Sequence, residues 1–149
     1  MAATFTVRVM EDGPRNAILL VNGNNGVVAG AGGTDLGVTS LILPSALGII
    51  NPATGQHAAS LRVDTIEWDI QAEAAYQVTL LWDATVPVEF YNCIGRANKY
   101  FKNFGGLYQQ AGIAGSTGGI DISTTGASAT VFESWTLTLY LVKNGLNPA

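Results

Sequence analysis

Three carboxylates, Asp64, Glu67 and Asp69, fall within one short segment of the chain. In an extended backbone Glu67 and Asp69 share a face about 7 Å apart, because alternate residues point the same way. Such a pair could pass a proton as acid and base, or hold Ca²⁺. Both chemistries draw on further residues set in motifs that are absent from this chain. The carboxylates therefore read as a solvated polar face, with no catalytic role and no metal site assigned.

Nucleophilic and phosphate chemistry fare no better. There is no G-x-S-x-G motif, and serine catalysis would depend on the lone His57 in the loop "NPATGQHAAS". The single Cys93 cannot form an intrachain disulfide, and with one histidine it falls short of a zinc set. It is expected to be a buried small hydrophobe. The glycine-rich runs lack the strand, helix and lysine of a phosphate-binding loop and read as turns. The expectation is a non-enzymatic protein without a cofactor.

The segment with the most distinctive chemistry is "RANKYFKNFGGLY", in which Arg96, Lys99 and Lys102 interleave with Tyr100, Phe101, Phe104 and Tyr108. Cations mixed with aromatics can stack on single-stranded nucleic acid or anchor on an acidic protein surface. The plain alternative is a loop packing on its own body. Three cations on an acidic chain make a weak electrostatic groove, so no nucleic-acid partner is expected. These seven residues are the candidate partner interface.

What positions them is a chain of 149 residues, enough for a single domain over 1–149 with its own core. Its net charge is −4 and its pI about 4.7, against the basic footprint usual for nucleic-acid binders. Charged residues are only 12% of the chain, while apolar ones are 48%. Charge depletion marks interface cores, so a homo-oligomer, dimer or trimer, is expected. No signal peptide is read at the N-terminus, and the densest apolar run, "LILPSALGII", is about half the length a membrane helix needs. A soluble protein without membrane contact, made in the cytoplasm, is expected.

Hydrophobic periodicity is of period two throughout. "TFTVRVM" places Phe5, Val7 and Val9 on one face, a turn follows at Asp12, Gly13 and Pro14, and "NAILLV" forms a second strand. "VTSLILPSALGII" allows a short strand, a helical turn after Pro44, or both. "LRV" and "IEWDI" are out of phase by one residue, which a bulge near Asp64 or Thr65 would reconcile. Ile66, Trp68 and Ile70 then share a face, as do Tyr76, Val78, Leu80 and Trp82. With Glu73, Ala74 and Ala75 as connection, a hairpin would set Trp68 across from Leu80 and Ile66 across from Trp82. A strand follows from Val88 to Ile94, opened by Pro87, and a short one covers Ile120 to Ile122. The closing "SWTLTLYLVK" alternates Trp135, Leu137, Leu139 and Leu141 with Thr136, Thr138, Tyr140 and Val142, and is expected to be a central strand. Seven or eight short strands with no helical periodicity predict an all-β fold: an antiparallel β-sandwich of jelly-roll or immunoglobulin-like type, with long Gly-rich loops.

The set "DGPRN" (12–16), "IEWDI" (66–70), "LLWDA" (80–84), "GGL" (105–107), "GGIDISTTG" (118–126) and "WTLTLYLVK" (135–143) resembles small virion structural proteins of tailed bacteriophages, of the capsid decoration or cement type. The resemblance covers most of the chain and is thinnest between Gly30 and Ser60. It implies a self-associating all-β module on the outer capsid surface of the virion, with the major capsid protein as partner and no catalytic residue. The stretch from Asn103 to Thr130 could then form extended arms along a neighbour. Two other readings are carried: a tail, adaptor or fibre-base virion protein, and a carbohydrate-binding β-sandwich module. The last needs at least one of Trp68, Trp82 and Trp135 in solvent, whereas a sandwich core needs all three buried.

Overall fold

The last strand, Ser134–Asn144, organises the architecture, because its strict alternation buries Trp135, Leu137, Leu139 and Leu141 on one face. Both of its edges are paired, as expected for a central strand. In this computed structural model, which describes residues 2–72, 75–110 and 112–145, the strands in chain order are β1 (Thr4–Asp12), β2 (Asn16–Asn24), β3 (Thr39–Ile42), β4 (Ser60–Gln71), β5 (Gln77–Trp82), β6 (Val88–Cys93), β7 (Arg96–Tyr100), β8 (Ile120–Thr125) and β9 (Ser134–Asn144). They form a five-stranded sheet, β1-β2-β9-β4-β7, and a four-stranded sheet, β3-β8-β5-β6. Every pairing is antiparallel. One buried cluster takes side chains from both sheets, so the fold is an all-β sandwich.

Several local expectations hold. The register of β4 against β9 shifts between Val63 and Thr65, so Asp64 is the bulge that brings Leu61, Val63, Ile66, Trp68 and Ile70 onto the core face. Leu41 and Ile42 end a short strand, and a single 3₁₀ turn, Pro44–Ala46, follows it. Trp68, Trp82 and Trp135 are 7%, 5% and 3% exposed. Trp68 Nε1 donates to the Ile94 carbonyl at 2.9 Å, and Trp82 stacks on Phe90 with ring centroids 4.0 Å apart. Trp135 lies against Gly23, where an added Cβ would come within 2.2 Å of the indole. That close approach is why a glycine stands within a paired strand, near its end.

The expected hairpin between Ile66 and Trp82 does not form. β4 pairs with β9 and β7, and β5 with β8 and β6, so the two strands belong to opposite sheets. Trp68 stands across from Leu137 and Ala97, and Leu80 across from Ile122 and Tyr91. Each strand carries a full apolar face, and in a sandwich two such faces meet across the core rather than extend one surface. The connection supplies no glycine for a tight hairpin, and Ala75 itself takes φ 83°. Glu73 and Ala74, assigned to that turn, lie outside the described residues.

All four edge strands are blunted. β1 carries a bulge between Val9 and Glu11, β3 has only four residues, and the β5–β6 register shifts between Leu80 and Leu81. β7 is regular, but its register sets Lys99 opposite Ile66 on the core-side face, where a charge opposes strand addition. These features disfavour extension of the sheets by another strand.

Candidate docking surface

The cation and aromatic segment is divided by the structure. Arg96 to Tyr100 is not loop, as composition suggested, but edge strand β7, fully exposed along its length. Arg96, Asn98 and Tyr100 face outward from the five-stranded sheet, level with Asp69, Glu67 and Thr65 of β4. After Tyr100 the chain leaves the sheet. The Phe101 N–H donates to the Asp64 carbonyl at 2.7 Å, and its ring meets Tyr91 edge-on at 5.6 Å, so Phe101 packs against the core. Lys102–Phe104 forms one 3₁₀ turn, closed by the Gly106 N–H donating to the Phe101 carbonyl at 2.8 Å.

The same loop is then sewn back onto β4. Val63 and Leu107 exchange two backbone hydrogen bonds of 2.8 Å each. Gly106, at φ 83°, sits so close to the Arg62–Asp64 pair that a Cβ there would meet both side chains at 2.6 Å. On this fixed base, Tyr100, Phe104 and Tyr108 are 61%, 86% and 62% exposed. Lys102 reaches a groove of about 380 Å³ on the outer sheet face, shared with Glu11, Asp64 and Tyr140. Of the seven cations, Arg62 and Lys143 are ion-paired, and three of the other five are Arg96, Lys99 and Lys102.

The carboxylates do not converge. Asp64 is taken by Arg62 through two hydrogen bonds of 2.7 and 3.0 Å, and that partnership raises Arg62 above its ordinary pKa. Glu67 and Asp69 line an open groove of about 520 Å³ with Arg96, Asn98, Thr136 and Thr138, and Asp69 accepts a hydrogen bond from Gln71. His57 Nδ1 bonds the Leu47 carbonyl at 2.8 Å and so helps fasten its own loop. Cys93 is buried, and desolvation pushes its thiol up to about 12, leaving it no thiolate at neutral pH. Among the described residues no three His, Cys, Asp or Glu side chains gather as metal ligands, and no helix is long and apolar enough to cross a membrane.

The expectation of extended arms from Asn103 to Thr130 is also corrected. Ile120 to Thr125 is β8, an inner strand paired on both sides. The preceding segment is tied to the body: the Thr85 N–H donates to Ala114 at 3.1 Å, Thr117 to Asp83 at 3.3 Å, and Leu61 to Gly118 at 3.1 Å. Beyond β8, the Asn25 side chain binds the Ser128 and Val131 carbonyls and the Glu133 carboxylate. Glycine and serine here supply turns that backbone hydrogen bonds then hold, not free chain.

Two polar clusters escaped the sequence reading. Lys143 continues the inward phase of β9 and is buried with its ammonium on Asp12 and two carbonyls. Asp121, on β8, is buried beside Asp83, and desolvation together with that neighbouring carboxylate pushes it up to about 6. Comparison with protein-family models, curated proteins and solved structures finds no match.

Proposed function

We propose that this chain is a non-enzymatic virion protein that decorates a bacteriophage capsid from outside, with the major capsid protein as its partner. The observation that carries the reading is the rigid presentation of Tyr100, Phe104 and Tyr108 to solvent beside Lys102, on a body otherwise poor in charge. Exposed aromatics on a preorganised loop lose little entropy on docking, and aromatic residues dominate protein interface energetics. The sequence resemblance supplies the capsid. Repetition over a shell makes individually weak contacts sufficient, since neighbouring engaged copies raise effective concentration. Copies that associate would do so through side chains, because the sheet edges are guarded.

Burial of all three tryptophans removes the stacking platform that sugar binding required of them. The test is the copy number of this chain relative to the major capsid protein, by quantitative peptide mass spectrometry of purified phage particles. A ratio of the order of one per few capsid subunits is expected. A few copies per particle would move the chain to the tail, adaptor or fibre base; absence from particles ends the virion reading.

A further inference from the structure

We infer that docking is concentrated in the closed loop from Tyr100 to Tyr108, with Phe104 as apolar anchor and Lys102 as charged anchor, and that the surface it meets is acidic with an apolar socket. This deepens the capsid reading and rests on it. The seven residues that composition grouped together do not act as one patch. Phe101 is spent on the core against Tyr91. Lys99 guards the strand edge opposite Ile66, and Arg96 stands at the far end of β7, over the groove with Glu67 and Asp69. Tyr100 remains at the end of β7, with Lys102, Phe104 and Tyr108 on the loop that follows it.

The exposure of Phe104 is built, not incidental. The Phe104 N–H donates to the Phe101 carbonyl at 2.9 Å, the left-handed Gly105 ends the turn, and the Gly106 and Leu107 backbones fasten both sides of the loop to its base. A phenyl ring held at 86% exposure by so many backbone bonds keeps apolar surface in water that a floppy loop could fold away. Val86, also strongly exposed, lies in the β5–β6 loop at the same end of the sandwich and extends the apolar character of that end.

Charge decides between occupants. A second copy meeting this loop head-on, with Lys102 near a two-fold axis, would bring the two Lys102 ammonium groups toward one another, a like-charge contact in the interface. An acidic surface on a different protein has no such conflict and complements Lys102, which forms no ion pair among the described residues. On the capsid reading, that surface belongs to the shell subunit.

The experiment titrates empty shells of the major capsid protein, assembled without this chain, with the purified full chain. Four variants are compared with the wild type: Phe104→Ala, Lys102→Glu, Tyr108→Ala and Phe132→Ala. Phe132 is an exposed aromatic in the loop before β9, at the opposite end of the sandwich, and serves as control for simple loss of exposed apolar surface. Phe104→Ala and Lys102→Glu should each weaken binding about tenfold or more, and Tyr108→Ala several-fold. Phe132→Ala should stay within about twofold. Lys102→Glu should also flatten the dependence on salt. All four should melt like the wild type. Wild-type binding left intact by Phe104→Ala and Lys102→Glu would overturn the anchor assignment while leaving the capsid reading standing. Equal losses in Phe132→Ala and Phe104→Ala would overturn it too. Failure of the wild-type chain to bind shells would remove both.

Discussion

Lys143 and Asp121 are both nearly sealed from solvent, at 2% and 4% exposure, near the same end of the sandwich, yet they are treated in opposite ways. The ammonium of Lys143 has three acceptors: Asp12 Oδ1 at 2.5 Å, the Gly13 carbonyl at 2.7 Å and the Gly48 carbonyl at 3.0 Å. The carboxyl of Asp121 faces another carboxyl, Asp83, which in turn accepts a hydrogen bond from Thr117 Oγ1 at 2.6 Å. A buried ion with a full set of partners fastens the elements that supply them, here β1, β9 and the loop at Gly48. A buried acid beside a second acid is favoured in its neutral form, and ionising it costs free energy. One cluster is a clasp, the other a point of strain whose cost depends on pH.

Breaking the clasp should have the largest effect. Lys143→Met leaves the Gly13 and Gly48 carbonyls and one oxygen of the Asp12 carboxylate without their donor, and should lower stability by about 3 kcal/mol, the low end for a broken buried pair because Asp12 is partly exposed. Urea denaturation at pH 7 measures it. A loss below about 1 kcal/mol would mean that water replaces the ammonium freely and that the comparison is false. Relieving the strain should act in the other direction. Asp121→Asn keeps a donor toward Asp83 without a charge, and should stabilise the fold at pH 7.5 by about 2 kcal/mol, somewhat less than the full shift converts to. No gain, or a loss, in the melting temperature of that variant would show that the two carboxyls do not strain one another.

The sign of the pH dependence separates the two clusters further. Asp121 is raised to about 6 in the fold from an ordinary value near 3.8, so between these values the folded state binds the extra proton. Stability should therefore fall as pH rises from about 4 to 6, then level. Burial alone would raise Asp12 as well, but Lys143 and the Gly48 N–H outweigh it and hold that carboxylate below its ordinary value. Its contribution is present above the ordinary carboxylate range and is lost as pH falls through the depressed value. Melting temperature against pH should show a maximum near pH 4 to 5. Asp121→Asn should erase the decline on the alkaline side and leave the acid side unchanged.

Why these clusters were illegible in the sequence, when much else was legible, follows from what alternation encodes. Period two states which face of a strand is apolar, so the inward set of β9, the Asp64 bulge and the burial of three tryptophans could all be read from residue order. It does not state which strand lies alongside, and so the apolar faces of β4 and β5 looked like one surface when they meet across the core. Lys143 keeps the inward phase, but only the fold brings Asp12 and Gly48, far away in the chain, within reach of its ammonium. Asp121 reads as outward and polar; only the fold brings Asp83, far away in the chain, beside it. The docking loop was visible as composition, but its division into core, edge and exposed residues depends on β7 pairing with β4.

The smallest effect is the sharpest probe of the strained pair. Thr117 supplies Asp83 with a hydroxyl donor, and its N–H also bonds the Asp83 carbonyl. Thr117→Val removes the hydroxyl and preserves shape and backbone, so the stability loss should be only about 1 kcal/mol. Its informative consequence is electrostatic. Without that donor the Asp83 carboxylate presents more of its charge to Asp121, whose titration should move upward from about 6. Carboxyl ¹³C chemical shifts followed through a pH titration read that midpoint directly. An upward move ties Thr117, Asp83 and Asp121 into one electrostatic cluster. An unchanged midpoint with the same loss of stability would reduce Thr117 to an ordinary loop fastening, and the strain would then belong to burial of Asp121 alone.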